Sequence, residues 1–129
     1  MTIDLNNALA NIILDLYDVH FPVGSILELR SGGPPGAENA ATGTLLVSIT
    51  LPATPWAAAA GGSKSKQGTW SDVGVAAGTI GYYRLKNVAD TRREEGTVTA
   101  TGGGGDATVD NTNVAIGQVV TVNTFTRTS

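Results

Sequence analysis

Cysteine is absent from the 129-residue sequence, which removes thiolate nucleophiles, zinc-thiolate sites, disulfides and redox switching together. Histidine occurs once, as His20, so one chain cannot form a histidine-based triad or a multi-histidine metal site. Charge is sparse: 8 basic against 11 acidic side chains give a net charge of -3. That balance is too small and of the wrong sign for gripping phosphate backbones, so nucleic acid is not an expected partner. No apolar run approaches the roughly 20 residues that span a bilayer. Met1 to His20 has no basic leader, carries Asp4 and Asp15 in its apolar stretch, and lacks a signal-peptide cleavage pattern. The chain is expected to be soluble and intracellular when made, with no membrane partner.

What is abundant is glycine, 17 residues of it, together with threonine and alanine. This mixture suits short strands joined by tight turns. Low charge also leaves a nearly neutral surface, as on proteins packed into an assembly. Between Asp4 and Tyr17, Leu5, Ala8, Leu9, Ile12, Ile13, Leu16 and Tyr17 recur at spacings of three and four, placing them on one helix face. Thr2, Asp4 or Asn6 can cap its start, and Pro22 ends it.

From Ser25 the period changes to two, with Leu27 and Leu29 opposite Glu28 and Arg30. Ser31 to Gly43, containing Gly32-Gly33-Pro34-Pro35-Gly36, reads as a long exposed loop and as a contact surface ordered only in an assembly. Further strands are expected at Thr44 to Leu51, Trp56 to Ala60, Thr79 to Val88, Thr97 to Thr101, Ala107 to Asp110 and Val119 to Arg127. In the last, Val120 and Val122 share a parity that Phe125 does not, which calls for a bulge or a strand covered on both faces. The fold class expected is mainly β: an antiparallel β-sandwich or jelly roll of about seven to eight short strands preceded by one amphipathic N-terminal helix. Residues 1–22 form the helix or arm and 23–129 the β-sandwich domain.

Candidate chemistry is thin. His20 suits a helix C-terminus through the dipole. Gly102 to Gly105 lacks the Lys-Ser/Thr pair and following helix of a phosphate loop, and reads as a flexible turn. Asp106, Asp110, Asn111 and Asn113 cluster oxygens without the spacing of a calcium loop. Arg92-Arg93-Glu94-Glu95 reads as a solvated hairpin tip, and Ser63 to Gln67, with Lys64 and Lys66, as a soluble loop. Trp56, Trp70, Tyr82 and Tyr83 read as core, although aromatic residues can also stack on sugars or anchor interfaces. No catalytic residue, metal site or cofactor is expected.

The helix, Leu27-Glu28-Leu29-Arg30-Ser31-Gly32 leading into the Pro-bearing loop, and Ala41-Thr42-Gly43-Thr44-Leu45-Leu46 opening a strand together resemble small tailed-bacteriophage and prophage virion structural proteins. Pro55-Trp56-Ala57-Ala58-Ala59-Ala60-Gly61-Gly62, Gly81-Tyr82-Tyr83-Arg84-Leu85 and the Thr-rich C-terminal strand continue the resemblance over nearly the whole chain. The resemblance implies a non-enzymatic capsid decoration (cement) protein. A tail or head-completion protein, or a host-attachment or carbohydrate-binding module, is the alternative. It implies localisation in the virion after synthesis in the host bacterial cytoplasm. The partners implied are other copies of the chain, as a homo-oligomer such as a trimer, and the major capsid protein or other virion proteins. The interface expected on this reading comprises Leu9, Ile12, Ile13, Leu16, Pro34 and Pro35.

Overall fold

A computed structural model describes residues 4–128. Two short helices, α1 (Asn7–Leu14) and α2 (Leu16–His20), form one kinked N-terminal helical segment. Ten strands follow: β1 (Ile26–Arg30), β2 (Leu45–Thr50), β3 (Ser63–Ser65), β4 (Trp70–Val73), β5 (Gly78–Thr79), β6 (Tyr82–Lys86), β7 (Arg93–Ala100), β8 (Ala107–Val109), β9 (Asn113–Val114) and β10 (Val119–Thr128). The chain is therefore mainly β, as its composition suggests.

The architecture departs from two packed antiparallel sheets. Eight strands make one sheet in the order β2-β1-β6-β7-β8-β10-β3, with β4 also paired to β10. It curls until Val75, just after β4, donates its N–H to Leu46 O of β2 at 2.8 Å. Curling lets a single sheet wrap its own core, where Leu27, Leu29, Val47, Ile49, Trp70, Tyr83, Leu85, Val109, Val122 and Phe125 are all buried.

One pair, β7 with β8, is parallel. Parallel neighbours normally need a crossover of a dozen residues or more. Here Gly102 to Gly105 returns directly alongside β7, because it has no side chains to hold it away. A Cβ on Gly103 would lie 2.7 Å from Thr99 Cβ, and one on Gly105 would lie 2.9 Å from Thr99 N. Gly105 N–H also donates to Thr99 Oγ1 at 3.0 Å. Gly103 and Gly105 are thus packed against Thr99, while Gly102 and Gly104 make an open turn at positive φ.

The irregularity expected in the last strand is present. The register of β10 against β8 shifts between Val122 and Thr124, and Val120, Val122 and Phe125 are all buried. Trp56 to Ala60 is not a strand, having only isolated bridges from Trp56 to Lys66 and from Ala60 to Ser63. Its aromatic anchor decides its path instead: Trp56 packs edge-on against Trp70 at 5.0 Å and Phe125 at 5.5 Å.

Candidate assembly surface

The helical segment has two apolar faces. Asn6 caps it, its Oδ1 accepting from Leu9 N at 3.0 Å. Ala10 and Leu14, with Phe21 just beyond the segment, are buried, and Tyr17 packs against the core cluster. These residues stand four, three and four apart and lie on the sheet. The face singled out from the sequence is the other one: Leu9, Ile12, Ile13 and Leu16 are 46–68% exposed and Val19 extends them, whereas Tyr17, placed with them by its spacing, turns inward.

Polar contacts fix which face looks outward. Lys64 of β3, whose side chain is fully buried, places its ammonium 2.8 Å from Asp15 Oδ1 and 2.8 Å from Asp18 Oδ2. Asp15 also accepts from Ala59 N (2.9 Å), and Asn11 Oδ1 accepts from Gly62 N (3.0 Å). The Lys64 hydrogen bond, helped by that of Ala59, holds the Asp15 carboxyl below the usual carboxylate range. Trp56 Nε1 donates to Phe21 O at 2.8 Å. Ser63 to Gln67 is therefore not a free loop; a buried ammonium needs both carboxylates, and they come from the helix.

A second anchor involves Glu94. Its carboxylate accepts from Tyr17 Oη and from Tyr83 Oη (2.7 Å), and Arg127 Nε lies 3.1 Å away. Burial, then the hydrogen bond to Glu94, pushes the Tyr17 phenol up to about 12, and burial also raises that of Tyr83. Both tyrosines ionise more readily once unfolded, near 10. The contribution of Tyr17 is complete below pH 10 and is lost as pH rises toward 12, while that of Tyr83 persists beyond that window. Thermal unfolding followed across that window should show stability falling, and falling less steeply in Tyr17→Phe; equal slopes would contradict the linkage.

Arg92-Arg93-Glu94-Glu95 is likewise not a solvated tip. The turn lies at residues 87–92, and Glu95 in β7 binds Arg84 at 2.6 Å. Glu95 also accepts from Gly36 N at 2.9 Å, while Arg84 Nη2 donates to Asn39 O at 2.7 Å. Tyr82 Oη donates to Thr42 O at 2.6 Å. The Ser31 to Gly43 loop is thereby anchored within the single chain. In it Pro34 is exposed and Pro35 half-buried, and neither lines the grooves beside the helix.

Two such grooves meet at His20 and Arg92. One, of about 370 Å³, is lined by Ile13, Leu16, Tyr17, His20, Phe21 and the start of β7. The other, of about 330 Å³, is lined by Val19, His20, Pro22 and the Asn87 to Arg92 turn. The exposed Val23 and Val88 add to the apolar surface at this end. The sequence reading missed these flanking residues, because only the fold brings the turn beside the helix.

No protein-family model, curated protein or solved structure matches this chain. Trp56, Trp70, Tyr82 and Tyr83 are all buried, so none of these rings is presented to a sugar. Asp106 accepts from Thr97 N and Asp110 from Thr121 N, both at 3.0 Å, tying strands together. Among the described residues no group of three or more His, Asp or Glu could hold a metal, and no helix is long and apolar enough to cross a membrane.

A second exposed apolar patch comprises Val73, Val75, Ile116 and Val119. Its parts adjoin: Val119 pairs with Val73, and Gly117 N donates to Gly74 O at 2.8 Å. Val119 opens β10, whereas Arg127 near its other end contacts Tyr17 Oη at 2.8 Å. At about 3.3 Å per residue, Val119 and Arg127 are separated by roughly 25 Å of strand. Sequence reading missed this patch because β4 is too short for alternation to mark it and Val75 and Ile116 lie in the connections between strands.

Proposed function

We propose that this chain is a non-enzymatic structural component of a tailed-bacteriophage particle, a capsid decoration protein that binds the shell and stabilises it. The observation that carries this reading is the apolar ridge of Leu9, Ile12, Ile13, Leu16 and Val19, held outward on a helix whose opposite face is clamped. Apolar surface presented this way supports an assembly role, because covering it is favourable and the rigid helix loses little freedom when covered.

Three further points support the reading. The second patch lies at the far end of β10, so one chain has two places from which to join neighbours. The surface charge is low. The order of segments resembles small virion structural proteins. Several copies joined to one another would grip a repeating shell through many individually weak contacts. Partners on this reading are other copies of the chain and the major capsid protein.

Purified particles from a strain carrying the gene, analysed by quantitative mass spectrometry, test it. The chain should be present in many copies per particle, in fixed ratio to the shell protein. Particles of normal composition without the chain would overturn the proposal.

A further inference from the structure

We propose that the helix ridge is covered by the same ridge of a second copy. The two helical segments lie antiparallel about a two-fold axis at Ile12-Ile13, with Asp4 of each copy beside His20 and Arg92 of the other. The inference rests on reading the chain as a self-assembling structural protein.

Spacing indicates that the occupant is a helix. Leu9, Ile12, Leu16 and Val19, all exposed, follow at three, four and three residues, the repeat by which two helices share a seam. Symmetry indicates a copy of this same chain. Leu9 and Leu16 stand equally far from the Ile12-Ile13 step, so antiparallel pairing sets Leu9 against Leu16 and Ile12 against Ile13, reciprocally. A two-fold contact requires that reciprocity.

Charge selects the direction. Arg30, Lys64, Arg84, Lys86, Arg93 and Arg127 each contact a carboxylate. Arg92 contacts none among the described residues, and its guanidinium donates only to the neighbouring Thr91 O at 3.1 Å. Asp4, exposed just before α1, has no basic partner among the described residues either. Parallel pairing would bring like charges together at each end. Antiparallel pairing brings Asp4 to the His20 and Arg92 rim of the other copy.

The natural chain has no cysteine, so introduced thiols report position cleanly. Under mild oxidation Ile12→Cys should form a disulfide-linked dimer. Leu9→Cys alone should not, because its two thiols lie about 10 Å apart along the seam. An equimolar mixture of Leu9→Cys and Leu16→Cys should cross-link unlike chains. By sedimentation, Asp4→Arg and Arg92→Asp should each weaken self-association roughly tenfold, and the two together should restore it. Self-linking of Leu9→Cys, a trimer, or a monomer at several hundred micromolar would each overturn the pairing. The outcomes separate the two claims. A monomer found on particles discards the pairing and keeps the structural-protein reading, whereas a two-fold dimer missing from particles does the reverse.

Discussion

Replacing Leu9 with alanine and Ile13 with serine together is expected to weaken self-association by roughly a hundredfold to ten-thousandfold while leaving the β domain folded. Full burial of such a side chain contributes about 1.5 to 3 kcal/mol. Leu9 and Ile13 are 47% and 46% exposed in the single chain, so about half of that contribution is still to be gained on assembly. Two positions on each of two copies sum to about 3 to 6 kcal/mol, and each 1.4 kcal/mol is a factor of ten. Shell occupancy should fall with self-association, because several weak contacts act together only while copies are joined. Thermal unfolding distinguishes the alternative in which the ridge covers the chain's own sheet. In that case the double variant would lose its fold. Here it should stay folded with a moderate loss, about 1.5 to 3 kcal/mol for the half of each side chain already buried, since Ala10, Leu14, Tyr17 and Phe21 make the main intramolecular contact.

Trp56→Ala should have the opposite signature, a large loss of stability. Trp56 is 3% exposed, and its ring centroid lies 5.2 Å from that of Tyr17, 5.0 Å from Trp70 and 5.5 Å from Phe125. Its Nε1 also donates to Phe21 O, so one side chain joins the helical segment to the aromatic core. Removing a buried tryptophan typically costs about 3 to 5 kcal/mol, against a total stability of about 5 to 15 kcal/mol for a domain. The melting temperature should drop by roughly 10 °C or more. Trp56→Phe, which keeps a ring but loses the donor, should fall between the two. A shift of only a degree or two for the alanine variant would mean that the helix docks without this residue.

Much of the sheet was legible because alternation survives in single strands. Leu27 and Leu29 against Glu28 and Arg30 marks β1, and the parity break at Phe125 marks the irregularity in β10. Longer-range features left no such trace. Ser63 to Gln67 has the composition of a loop, and nothing local reveals that Lys64 meets two carboxylates 49 and 46 residues away. Gly102 to Gly105 reads as freedom, whereas the fold uses the missing Cβ atoms to bring two parallel strands together. Periodicity identified an apolar helix face but could not choose between two. Ala10, Leu14, Tyr17 and Phe21 have the same three-and-four spacing as Leu9, Ile12, Ile13 and Leu16, and only the Lys64 clamp and the Trp56 bond decide which set turns inward.

On the proposed reading the chain joins a particle and strengthens it, its helix ridge holding the copies together. The most direct measurement is the survival of shells challenged with heat and low salt, comparing shells lacking the chain, shells given back the parent protein, and shells given the Leu9→Ala, Ile13→Ser double variant. The account predicts that the parent protein restores resistance and the folded double variant does not. Equal resistance in all three, or full restoration by the variant, would contradict it.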